Sequence, residues 1–228
     1  MTRWAVLITS ALALGCSDLT AGAGGVVELE IAVPAVSSLE VGEGLQLSAR
    51  ALDRDGNPVT VPISWRTSDT TITVDDTGRV TGIAPGPGQV QAFAGSLASA
   101  RVPLTVITRA DTLVIVGDSV VTVAPGATAS APLVVQLLSF SQAGALASRP
   151  LVYAVTSPPD VGPHTVELPG GVLIDTVSTG TTGTDQSVTL NRVTGVTAPD
   201  TAIVQVRSYH ASGADVPGSG QRSIVLFQ

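Results

Sequence analysis

The chain reads as all-β, a run of short strands that fold into sandwiches. Beyond residue 25 no window keeps its apolar residues at helical spacing for three turns. Apolar and polar residues alternate instead with a period of two. These runs recur about every 8 to 12 residues between Gly, Pro, Asp and Asn turn signals, which is the spacing of a β-sandwich. The composition agrees: 44% hydrophobic and 13% charged residues, with 24 Gly and 15 Pro among 228, suit a packed, turn-rich body rather than charge-driven disorder.

In the first half, Leu45-Gln46-Leu47-Ser48-Ala49-Arg50-Ala51 puts apolar residues on one face and polar ones on the other. Val90, Ala92 and Ala94, then Ala100, Val102, Leu104 and Val106, repeat the pattern. The turns are explicit: Asp55-Gly56-Asn57-Pro58, Asp76-Thr77-Gly78 before Arg79-Val80, and Ala84-Pro85-Gly86-Pro87-Gly88 before the strand from Gln89 to Ala94. Trp65 alternates with Ser64 and Arg66 and is therefore expected in the core, where truncation to Ala costs about 3–5 kcal/mol. With Val90, Ala92 and Ala94 inward, Phe93 faces outward.

In order along the chain, these features resemble a group 2 bacterial Ig-like domain, the module of invasin- and intimin-like adhesins. The matching residues begin with Val41-Gly42-Glu43 leading into Leu45-Gln46-Leu47, the turn Asp53 to Asn57, and Ile63-Ser64-Trp65-Arg66-Thr67-Ser68-Asp69. Ile72-Thr73-Val74-Asp75, Gly78-Arg79-Val80-Thr81-Gly82 and Pro87-Gly88 follow. The resemblance covers residues 27–107. It implies an Ig-like sandwich with a role in adhesion or in presenting a binding domain.

Residues 108–228 hold enough candidate strands for a second sandwich: Thr112 to Val116, Ser119 to Ala124, Leu133 to Ser139, Leu151 to Thr156, Val172 to Val177, Ser187 to Leu190, Ala202 to Ser208 and Ser223 to Phe227. Thr184 to Leu190, with Ala202 to Val206 after it, resembles the last strands of invasin-type repeats. Ser157 to Pro163 and Ser178 to Asp185 read as long loops, the usual place for binding on a sandwich.

The N-terminus supplies an address. Arg3 precedes an uncharged run from Trp4 to Leu14, too short to span a bilayer core of about 30 Å and typical of a secretory signal. Ala13-Leu14-Gly15-Cys16 resembles the lipobox of bacterial lipoproteins. That resemblance implies a signal peptide at 1–15, fatty-acyl (palmitate) modification of Cys16, and a lipidated Cys with a flexible tether at 16–26. Ser17 after the Cys implies export to the outer membrane. The Gly-rich tether reaches roughly 30 Å at about 3.3 Å per residue. The predicted architecture is thus tandem Ig-like β-sandwiches after a lipoprotein signal peptide and short linker.

Chemistry is scarce. The single Cys excludes an intrachain disulfide and any multi-Cys metal site. All 11 basic residues are Arg and face 18 acids, an acidic balance that excludes a nucleic-acid partner. Val116-Gly117-Asp118-Ser119 resembles the nucleophile block of GDSL esterases. No helices accompany it, however, and no Asp stands three residues before His210, so a turn between two antiparallel strands is expected. Asp53-Arg54-Asp55-Gly56-Asn57 resembles the opening of a calcium loop, but its Gly is in the fourth place and Ser64 stands where the twelfth-place Glu belongs. A hairpin turn with Gly56 or Asn57 in a left-handed conformation is the simpler reading, with a weak site using Asp75 and Asp76 left open. His164 and His210 read as surface or loop histidines. Phe93 and Tyr209-His210 are minor candidates for sugar contact.

No nucleophile, base and orienting group assemble from these residues, so no enzyme, cofactor or metal site is expected. The expected partners are the membrane, through lipid on Cys16, and a protein or polysaccharide ligand. A structural or assembly role in an envelope complex is the alternative.

Overall fold

The computed structural model describes residues 25–228 except 33, 160–163, 181–185 and 198. Cys16, the signal segment and most of the tether lie outside the described residues, as do parts of the two long loops at 157–163 and 178–185. Those described form strands and turns and no helix.

The first eleven strands are β1 (Glu28–Ile31), β2 (Ser38–Glu40), β3 (Gly44–Gln46), β4 (Ala49–Leu52), β5 (Pro58–Val59), β6 (Ser64–Arg66), β7 (Ile72–Val74), β8 (Arg79–Gly82), β9 (Gly86–Ala94), β10 (Leu97–Ala98) and β11 (Val102–Ile107). One layer is built from β1-β4-β5 and β3-β8-β7. The other runs β10-β9-β11-β2, with β6 also on β9. Leu29, Leu39, Ile72, Val80, Val90 and Leu104 pack between them. The alternation of β9 and β11 is as the sequence predicts, with Val90, Ala92, Ala94, Val102, Leu104 and Val106 buried. Ala100 is exposed, because Ser99 turns in and donates to the Ala100 carbonyl, breaking the phase between β10 and β11.

The remaining strands are β12 (Thr112–Val116), β13 (Val120–Val123), β14 (Leu133–Leu138), β15 (Pro150–Ser157), β16 (Val166–Glu167), β17 (Ile174–Ser178), β18 (Gln186–Val188), β19 (Asn191–Arg192), β20 (Thr201–Arg207) and β21 (Gln221–Phe227). A sheet ordered β12-β14-β18 faces one ordered β13-β21-β20-β15-β17. Leu113, Leu137, Leu151, Tyr153 and Val204 fill the space between. The burial of Tyr153 pushes its hydroxyl pKa up.

Both sandwiches use the same device at their start. The first strand pairs antiparallel in one sheet, and the next crosses over to lie parallel to the last strand of the opposite sheet: β2 along β11, and β13 along β21. Gly117, at φ +84°, makes the second of these crossings. The Gly117-Asp118 turn therefore does not join two antiparallel strands, as the sequence suggested. It carries the chain from one sheet to the other.

Gly218 has φ +86°, and a Cβ there would collide with the Leu113 carbonyl, so the turn before β21 lies flat against β12. Gly218→Ala is expected to destabilise the second sandwich, about 1–2 kcal/mol from backbone handedness alone. A fall in the thermal midpoint of several degrees checks this.

Candidate functional site at the junction of the sandwiches

Glu40 ends β2 and aligns with Ile107 of β11, so its position is fixed by the sheet. Strand alternation places it opposite Leu39, on the outer face of the first sandwich. Its side chain is nevertheless fully buried, because the second sandwich covers it. Arg149, just before β15, pairs with Oε1. His210 Nδ1 lies 2.6 Å from Oε2, and the Ala110 backbone N–H donates to the same oxygen at 3.1 Å. Arg149 also donates to the Thr108 carbonyl at 2.6 Å. Its own backbone is held by Thr179, whose Oγ1 accepts from the Arg149 N–H at 2.8 Å. One buried carboxylate is thus met by donors from the connecting segment and from two separate parts of the second sandwich.

Glu43 adds a second link. The turn Val41-Gly42-Glu43 brings its carboxylate back to accept the Glu40 N–H at 2.9 Å, while Ser212 Oγ donates to the other oxygen at 2.6 Å. Burial raises the Glu43 carboxyl pKa, but the Ser212 hydroxyl, the backbone N–H groups of Glu40 and Ser212, and His210 outweigh it and hold it below its ordinary 4.5. A carboxyl lowered in the folded state contributes stability that is present above its unfolded value and lost as pH falls. Glu43→Gln is therefore expected to flatten the loss of stability as pH drops below about 4.5. Urea midpoints measured between pH 6 and pH 3 check it.

Glu40, Glu43 and His210 have ligand atoms within 4.8 Å of one another, which invites a metal reading. The donor chemistry argues against it. Both Glu40 oxygens already accept hydrogen bonds, and the Arg149 cation occupies the position beside them. The group is an ion-pair hub.

Beside the hub lies a groove of about 660 Å³, lined by Val106 and Ile107 of the first sandwich and by Leu146, Arg149 and Tyr209 of the second. Ser148, at its edge, has φ +54°, the one non-glycine positive φ among the described residues. The loop after β14 also reaches this region. Asp111 Oδ2 accepts the Phe140 N–H at 2.6 Å and the Ser139 hydroxyl at 3.1 Å, and the loop presents Phe140 with 83% of its surface exposed.

The residues singled out in the sequence are scattered. Trp65 is half-buried, packed against the first core and over Gly78, where a Cβ would come within 2.6 Å of the indole. Phe93 lies outward beneath the Arg66 guanidinium at 4.9 Å. The Asp53 carboxylate caps its own turn, accepting from the N–H groups of Asp55 and Asn57, with Gly56 left-handed at φ +80°. The Asn57 N–H leads the causes that hold the Asp53 carboxyl below its ordinary 3.8. Asp75 caps Thr77 and Arg79 in the same way. His164 is exposed. His210 is a correction: expected on the surface, it is buried because Glu40 accepts it across the junction.

Sequence reasoning missed Glu40 and Arg149. The only local signal was an acid between Leu39 and Val41 in a strand, which alternation alone places in water.

No protein-family model matches the chain, and no curated protein does. Among solved structures it is similar to the Yersinia pseudotuberculosis adhesin InvE, at 14% identity and a TM-score of 0.42 over 91% of this chain and 62% of that one. It is also similar to fibronectin(III)-like modules of Clostridium thermocellum CbhA, at 18% identity and a TM-score of 0.44 over 88% and 94% of the two chains. The D00-D0 domain of intimin matches at 15% identity and a TM-score of 0.34, over 88% and 99%. The chain spans less than two thirds of the InvE structure. The fold assignment rests on the strand pairing itself, which gives all-β, Ig-like sandwiches of the kind the sequence resemblance implies.

Proposed function

We propose that the chain is a non-enzymatic envelope lipoprotein, held to the outer membrane by lipid on Cys16, whose sandwiches present a binding surface to a protein or polysaccharide. The domain plan is the one read from the sequence: a spacer at 27–107 and a presenting sandwich at 108–228. The observation that carries the reading is Phe140. An apolar ring 83% exposed, on a loop pinned by Asp111, adds nothing to the core and is the kind of residue that anchors a contact.

A second reading also has an observation in its favour. The outer face of the sheet β13-β21-β20-β15-β17 exposes Val120, Ile174 and Leu226, and such a face suits lateral docking in an envelope assembly. A photo-reactive phenylalanine at position 140, activated on intact cells of the native host, separates the two. Attachment of one specific protein or glycan at 140 supports presentation. No product at 140, together with chemical cross-links from the outer sheet face to envelope subunits, favours assembly.

A further inference from the structure

We infer that the Glu40 hub is a latch that sets the angle between the two sandwiches, with residues 108 and 109 as its hinge, since Ala110 is already buried in the second core. The carboxylate belongs to the first sandwich, whereas Ala110, Arg149 and His210 all lie beyond it in the chain. A single side chain thus closes the junction from three directions.

Its surroundings make it the chief tie. Beside the hub the facing surfaces leave an open groove of about 660 Å³, so side chains of the two sandwiches are not packed tightly against each other there. The other polar links, Glu43 with Ser212 and Thr108 with Gln142, are solvent-exposed and correspondingly weak. The connecting segment is itself held by the hub, since the Arg149 guanidinium donates to the Thr108 carbonyl and Ala110 gives its N–H to Glu40.

The energetics favour two states over a gradual bend. In a closed junction the attraction between Glu40 and Arg149, together with the hydrogen bonds from His210 and Ala110 to Glu40 and from Arg149 to the Thr108 carbonyl, offsets the hydration that the ions have lost. An opened junction returns Glu40, Arg149 and His210 to water together. Closure is therefore sensitive to any one partner, because removing it leaves the others buried and uncompensated. The groove, lined from both sides, exists only in the closed state. This inference does not depend on lipid attachment or on any ligand, so its failure leaves the presentation role standing.

The test is a distance measurement on the whole mature chain. Spin labels are placed at Thr73→Cys in β7 and Ser178→Cys at the end of β17, both exposed, in a Cys16→Ser background. One narrow distance distribution is expected for the otherwise unaltered chain. Glu40→Gln is expected to raise the open population at least tenfold, and adding Arg149→Gln to it is expected to bring no comparable further change, since both act on one interaction. Trp65 fluorescence and far-UV circular dichroism verify that the sandwiches stay folded. If Glu40→Gln does not fold, His210→Gln is read in its place with the same expectation. A broad distribution in the unaltered chain overturns the latch, as does an unchanged narrow one in a folded hub variant.

Discussion

Cys16→Ser is expected to move the protein from the membrane fraction to the soluble one. Each buried methylene of an acyl chain contributes about 0.8 kcal/mol, so two or three chains anchor a protein that one alone holds only reversibly. No helix among the described residues is long and apolar enough to cross a membrane. In the proposed mature form, without Arg3, the 18 acids outnumber the remaining Arg, and such a body is repelled by anionic lipid. Loss of the thiol proposed to carry the lipid should therefore be nearly complete in effect. Fractionation of cells expressing the variant shows it, and unchanged membrane partition would count against lipid attachment.

The second large effect is at Tyr153. It is 1% exposed and one of the largest side chains sealed in the second core. Tyr153→Ala is expected to cost about 3–5 kcal/mol, most of the stability of a small sandwich. Trp65→Ala, for which the sequence suggested a cost of that size, is expected to cost less, because the indole is half-buried and loses fewer contacts. Denaturant midpoints of the two variants provide the comparison. A larger loss at Trp65 than at Tyr153 would reverse this view of which aromatic fills a core.

Much of the architecture was legible because a strand reports its own burial. The eight strands read in residues 108–228 all have counterparts, since alternating Val, Leu and Ile against polar residues marks a sheet face wherever the run is long enough. Strands β16 and β19, two residues each, were too short to show any period. The alternation predicts a strand from Val172, but Gly170 and Gly171 turn the chain there and the strand opens at Ile174.

The junction was not legible, and the reason is physical. Alternation tells which face of a strand meets its own sandwich, and nothing about what meets the other face. Glu40 is outward with respect to β2 and buried by residues 109 and 170 positions later. Arg149 and His210, polar residues beside strand ends, look the same in sequence whether they face water or a carboxylate. Only the tertiary structure brings the three together.

The mass of the mature protein tests most directly the proposal that a two-sandwich body is held to the membrane by lipid on Cys16. Protein purified from the membrane fraction is predicted to begin at Cys16 and to carry the added mass of a diacylglyceryl group on that residue. A chain that begins elsewhere, or an unmodified Cys16, would contradict it.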